Sequence, residues 1–160
     1  MLVITSKNEE ETREIGRILG KKAVPGMFIA LKGELGSGKT VFVQGFARGA
    51  EVRELVNSPS YVLMNVYRGR VELYHFDFYR LEEEDELLEL DLEEYFYGDG
   101  VTLVEWADKF PLILPAVRLE IEIKRGNERQ DFFRHLYCKT SGGFDDSFLE
   151  EVKKYASTGY

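Results

Sequence analysis

Gly33-Glu34-Leu35-Gly36-Ser37-Gly38-Lys39-Thr40 has the spacing G-x-x-x-x-G-K-[ST] and stands between a short apolar run and a helical one. This constrains the chain around it to a strand, a tight turn and a helix in succession, the setting in which such a loop holds the phosphates of a nucleotide. Glycines let successive backbone N–H groups turn inward toward phosphate oxygens, Lys39 brings a charge that reaches the terminal phosphates, and Thr40 offers its hydroxyl to magnesium. The pattern arises by chance in roughly one chain in 200 of this length. Its flanks lower that chance. Met27-Phe28-Ile29-Ala30-Leu31 reads as a strand buried on both faces, as in a parallel sheet. Val41-Phe42-Val43-Gln44-Gly45-Phe46-Ala47 continues as a helix whose N-terminus faces the anion. Glu34, Leu35, Gly36, Ser37, Gly38, Lys39 and Thr40 are therefore the expected nucleotide-binding residues. A glycine-rich turn that only caps a helix is the competing reading.

At 160 residues the chain suits a single domain, expected over residues 1–160, and is long enough to bury a core. No apolar segment near residue 1 resembles a signal peptide, and no run approaches the roughly 20 residues of a membrane helix, so a cytoplasmic protein is expected. Cys138 is the only cysteine, which excludes an internal disulfide and a cysteine-rich metal site and leaves it as a strand residue. The net charge of −8 is concentrated: residues 82–94 hold nine acids and no base, and the rest of the chain has 20 acids against 21 bases. A protein that grips nucleic acid with its own broad surface carries the opposite sign, so any RNA is expected to arrive through a partner. The acidic stretch itself reads either as a docking surface or as the solvated face of an amphipathic helix that buries Leu88, Leu92 and Tyr95.

Along the chain, Ser6-Lys7-Asn8-Glu9 has the pattern of a capping box and predicts a helix to about residue 19, with Ile15, Ile18 and Leu19 on its buried side. Gly49 marks a stop after the loop's helix, and Asn57-Ser58-Pro59-Ser60-Tyr61 forms a non-helical elbow. Strands are predicted at residues 61–67 and 71–77, joined at Arg68-Gly69-Arg70, and a second buried strand at 101–104. Residues 118–124 and 132–139 alternate as a hairpin across Gly126-Asn127. A closing helix carries Phe144, Phe148, Leu149, Val152 and Tyr155. The order of elements is α/β with a mixed sheet, in which only some strands are joined by helices.

Ligands in open α/β sheets sit beyond the carboxyl ends of the strands, which gives weight to two acids, Asp77 and Glu105, each at the end of a predicted strand. A phosphate-loop enzyme needs one carboxylate for magnesium and a further polar group to orient the attacking water; the two acids are candidates for these two jobs. A helix cap or a partner of Arg80 is the plainer role for Asp77, and a solvated charge that for Glu105. His75 reads as a base or as a hydrogen-bonded structural residue, and Trp106 as a stacking surface or a core anchor. Arg80 and Arg129 read as phosphate contacts or as surface pairs. Ser60 is a candidate sensor of the terminal phosphate.

The ordered set formed by the phosphate loop, Ser58-Pro59-Ser60-Tyr61, His75-Phe76-Asp77-Phe78-Tyr79-Arg80-Leu81 and Val104-Glu105-Trp106-Ala107 resembles the TsaE (YjeE) family over residues 5–135. These are small bacterial ATPases needed to make threonylcarbamoyladenosine next to the anticodon of tRNA. The resemblance implies a P-loop NTPase-like three-layer α/β sandwich with a mixed sheet, ATP as nucleotide, Mg2+ as metal, and a TsaD–TsaB protein pair as partner, with tRNA met only through that complex. By position it implies that Lys39, Asp77 and Glu105 are catalytic, that Thr40 and Glu105 serve the metal, and that Trp106 is a functionally sensitive aromatic; Trp106, as a stacking surface, and Arg129, as a phosphate contact, are the further expected nucleotide-binding residues. Ser60 stands where threonine is usual and keeps the hydroxyl. Asp91 stands where glycine is common, and aspartate tolerates a left-handed backbone better than most residues. A small-molecule kinase and a non-hydrolysing, nucleotide-gated binding module are the alternatives that the same loop permits.

Overall fold

The structure is a computed structural model and describes residues 1–59, 63–127, 129 and 132–156. Its elements run β1 Leu2–Ser6, α1 Glu9–Lys21, β2 Phe28–Lys32, α2 Lys39–Gly49, β3 Met64–Arg68, β4 Glu72–Asp77, α3 Asp85–Leu88, α4 Leu92–Phe96, β5 Val101–Glu105, β6 Arg118–Arg125 and β7 Arg134–Ser141. Short 3-10 turns follow β5, and a 3-10 segment, Asp146–Tyr155, follows β7. One sheet has the order β1-β7-β6-β2-β5-β4-β3. Its centre, β6-β2-β5-β4, is parallel, and β3, β7 and β1 pair antiparallel toward the two edges.

The central strands are apolar on both faces because both are covered. Ile29, Leu31, Leu73, Leu103 and Ile121 face α1, α2 and the final 3-10 segment in one core with Ile15, Leu19, Phe42, Phe46 and Val152. Phe28, Ala30, Phe76 and Val104 face the other way, onto Leu87, Phe96 and Leu114. The result is the α/β architecture with a mixed sheet that the element order implies, in the three layers that the resemblance implies. Cys138 is a buried β7 residue, and burial pushes its thiol up to about 12.

The first helix starts two residues later than the Ser6–Glu9 box predicts. Asn8 is the cap, accepting from the Glu11 N–H at 2.8 Å, and the Glu11 carboxylate accepts from the Lys7 N–H at 2.7 Å. Asn8 and Glu11 take the two places of the box, but the Glu11 carboxylate reaches one residue past the cap, to the Lys7 N–H. Ser6 is instead the last residue of β1, a strand that the expectation of a helix start at this point hid.

α1 and α2 pack with backbones almost touching. A Cβ at Gly45 would overlap the Arg13 carbonyl and one at Gly49 the Arg17 carbonyl, while Gly16 and Gly20 meet the Phe42 and Phe46 carbonyls in return. Gly49 is the last residue of α2, where the sequence places the stop, and it also makes this close contact. The acidic stretch is not one helix but two short ones, α3 and α4, and it buries Leu87 while leaving Leu88 77% exposed. The closing segment adopts 3-10 rather than α geometry, yet Phe148, Leu149 and Val152 are buried as the spacing requires.

Candidate nucleotide site

Three glycines of the loop hold backbone conformations that other residues enter only under strain: Gly33 at φ +143°, Gly36 at +76° and Gly38 at +110°. They turn the chain from the end of β2 into the first residue of α2, and Lys39 and Thr40 open that helix. The loop, the ends of β4 and β5 and the elbow at Ser58-Pro59 enclose a cavity of about 510 Å³, lined among others by Leu35, Gly36, Ser37, Gly38, Lys39, Thr40, Asp77, Glu105 and Trp106. Gly38, in a left-handed conformation, is the N-cap of α2, whose first-turn N–H groups have no partner within the helix.

The Lys39 ammonium is folded against its own loop. It donates to the carbonyls of Gly33 at 2.6 Å and Glu34 at 2.9 Å, lies 3.4 Å from Ser37 Oγ, and sits 4.2 Å from the centre of the Trp106 ring. Burial lowers its pKa, and the charges of Glu105, Asp77 and Asp108 oppose that shift. Trp106 holds a left-handed backbone, φ 58° and ψ 36°, which is uncommon for a bulky side chain. That turn brings its ring both to Lys39 and to Tyr79, 5.0 Å away between centroids.

Asp77 and Glu105 reach the cavity from neighbouring strands, but in different surroundings. Glu105 is 3% exposed, so it is not the solvated charge that its place at a strand end allowed. Thr40 Oγ1 donates to its Oε1 at 3.0 Å and lies 3.3 Å from Oε2, and Oε2 is 2.5 Å from His75 Nε2. Asp77 is half-buried. It accepts from the Ser58 hydroxyl at 2.8 Å and from the Tyr79 N–H at 2.9 Å, so it anchors both the elbow and the turn after β4.

Glu34 is exposed and contributes through its carbonyl, and Leu35 is 67% exposed at the rim. Arg129 does not join the site. It is an exposed residue of the β6–β7 turn whose backbone N–H donates to Asn127 Oδ1 at 3.0 Å, and it does not line the cavity. The hairpin arginines that touch the loop are Arg125, donating to the Leu35 carbonyl at 3.3 Å, and Arg134, donating to the Ser37 carbonyl at 2.9 Å. The two are direct cross-strand partners, a pairing that the hairpin register contains once the turn is fixed. Arg80 lines the cavity. Ser60 lies outside the described residues. Among the described residues, no three His, Cys, Asp or Glu side chains cluster as a metal site, and no helix is long and apolar enough to cross a membrane.

The family model described as threonylcarbamoyl adenosine biosynthesis protein TsaE matches residues 6–132. The tRNA threonylcarbamoyladenosine biosynthesis protein TsaE of Bacillus subtilis is 40% identical, with 92% of this chain and 91% of that protein covered. The protein of the same name from Treponema pallidum is 34% identical, over 74% of this chain and 88% of its own length. A crystal structure of Bacillus subtilis YdiB superposes with a TM-score of 0.78 at 36% identity, covering 96% of this chain and 94% of that one. The three-layer sheet with its phosphate loop is thus a P-loop NTPase-like fold, and with a family match from the first strand's end to the β6–β7 turn, the chain belongs to the TsaE family of tRNA threonylcarbamoyladenosine biosynthesis proteins.

Proposed function

We propose that this chain is a magnesium-dependent ATPase that supports threonylcarbamoyladenosine modification of tRNA together with a TsaD–TsaB type complex. The observation that carries the reading is the contact between the Thr40 hydroxyl and the buried Glu105 carboxylate at the mouth of the phosphate loop. Hard oxygen donors of this kind, few in number and beside a phosphate cradle, suit magnesium, which keeps much of its coordination for water and phosphate oxygens. Thr40 and Glu105 would hold it. When bound, magnesium neutralises charge on the phosphate oxygens.

The remaining steps belong to the chain's own groups. Backbone N–H groups at the start of α2 orient the phosphates, and Lys39 exchanges its contacts with the Gly33 and Glu34 carbonyls for the terminal phosphate. Asp77, half-buried and held by Ser58 and the Tyr79 N–H, keeps acceptor capacity to hydrogen-bond and orient a water for attack on that phosphate. Trp106 and Tyr79 wall one side of the cavity and limit solvent around the lysine. The net charge of −8 supports a tRNA encounter made through the partner complex.

The test is phosphate release from ATP by the purified chain, alone and with a TsaD–TsaB pair, with transfer to small-molecule acceptors followed in parallel. Slow release alone, on the order of 10⁻⁴ to 10⁻² per second, with stimulation by the pair, is the expected result. Phosphoryl transfer to an acceptor would make the chain a kinase, and nucleotide binding without release in any mixture would make it a gated binding module.

A further inference from the structure

His75 lies two residues before Asp77 on β4, so strand alternation sends both side chains to the sheet face that meets α2. It is completely buried, and its Nε2 is 2.5 Å from Glu105 Oε2. The other Glu105 oxygen accepts the Thr40 hydroxyl. A ring, a carboxylate and a hydroxyl thus run in line from the core, across two strands, to the first turn of α2. Nδ1 of the same ring is buried and has no hydrogen-bond partner among the described residues.

That asymmetry separates two roles. A histidine kept only to stabilise the core gains from satisfying both nitrogens, or from giving way to an apolar side chain, because a buried polar atom without a partner costs free energy. Here the one nitrogen in use is the one that touches Glu105. A glutamate carboxylate at a strand end has three side-chain torsions and two equivalent oxygens. Tying Oε2 to the ring leaves Oε1 as the nearer oxygen to the Thr40 hydroxyl, at 3.0 Å against 3.3 Å for Oε2.

We infer that His75 is a positioning residue that fixes the Glu105 carboxylate in the orientation needed at the Thr40 end of the phosphate loop. The inference rests on the reading above that Glu105 serves magnesium. Partners of this kind behind a metal-binding group change metal affinity by about 10- to 100-fold.

The test uses the whole chain and a non-hydrolysable ATP analogue, whose affinity is measured by calorimetry across a magnesium titration and in EDTA. His75→Leu removes the donor and leaves Glu105 Oε2 without its ring partner, whereas His75→Gln can return an N–H near the place of Nε2. The expected result is that His75→Leu raises the magnesium concentration for half-maximal tightening at least tenfold, with metal-free affinity unchanged, and that His75→Gln recovers most of the loss. Equal magnesium dependence in wild type and His75→Leu overturns the positioning role and leaves the ATPase reading intact. Equal losses in both variants, tracking their thermal stability, also overturn it, since a structural role would do that. No magnesium effect in the wild type overturns the metal reading and this inference with it. Should His75→Leu not fold, the imidazole ¹⁵N spectrum of the wild type decides: an Nε2 resonance that moves with magnesium plus analogue but not with analogue in EDTA supports the role, and one that moves in neither overturns it.

Discussion

Asp77 and Glu105 are register partners at the carboxyl ends of the adjacent parallel strands β4 and β5, yet only Glu105 touches Thr40. The division predicts different phenotypes for two isosteric changes. Glu105→Gln should shift the magnesium requirement and depress hydrolysis, while Asp77→Asn should depress hydrolysis with the magnesium requirement unchanged and nucleotide affinity nearly so, because orienting a water acts mainly on the transition state. Steady-state rates over a magnesium series would distinguish them. The reverse pattern would exchange the two roles.

Lys39→Ala and Thr40→Ala should each abolish most magnesium-dependent ATP affinity while leaving the thermal unfolding transition cooperative. Trp106 is the only tryptophan and lies 4.2 Å from the lysine ammonium, so its emission should change when nucleotide draws Lys39 from the ring. A fluorescence titration measures both effects. Loss of the emission change in Lys39→Ala with unchanged ATP affinity would contradict the assignment of the lysine to phosphate.

Gly45→Ala should destabilise the fold although alanine is the better helix former by about 1 kcal/mol. The new methyl group would meet the Arg13 carbonyl, a backbone atom that cannot swing aside. Overpacking of this kind costs about 1–3 kcal/mol, and each net kcal/mol lowers Tm by about 2–4 °C in a chain of this size. Calorimetric melting checks it; an unchanged or raised Tm would mean that α1 and α2 can separate freely.

Neutralising Glu82, Glu83, Glu84, Asp85 and Glu86 should leave ATP hydrolysis by the isolated chain unaltered, apart from a small effect of Glu86 at the cavity rim. If that face docks a partner, the same variant should weaken assembly with a TsaD–TsaB pair and make what remains less sensitive to salt. Co-sedimentation at two ionic strengths would measure it. Unchanged assembly would assign the acids to solvation.

The features legible in the sequence were those with a strict local rule. The loop's glycines, the doubly buried β2 and the β6–β7 hairpin follow from spacing and alternation alone. Features set by tertiary contact were not. β1 is only five residues long and is defined by its pairing with β7, and Ser6 at its end mimics a helix cap. Leu87 rather than Leu88 is buried because the acidic stretch breaks into two short helices, which resets the helical phase. The place of Glu105 at a strand end is legible, but its burial is set by tertiary contact with His75 and Thr40. The loop's arginine contacts come from Arg125 and Arg134, whose relevance depends on how the hairpin lies beside β2, whereas Arg129 sits on its turn.

The two hairpin arginines also decide which way the loop's peptide planes face. In a trans peptide the C=O and the following N–H point in opposite directions. Arg125 holds the Leu35 carbonyl and Arg134 the Ser37 carbonyl, so the N–H groups of Gly36 and Gly38 are directed away from the guanidinium groups. Two side chains from the β6–β7 hairpin thereby set the polarity of a cradle built at the end of β2. Sequence drift in that hairpin would be felt in the aim of the loop's amides, without any change in the loop itself.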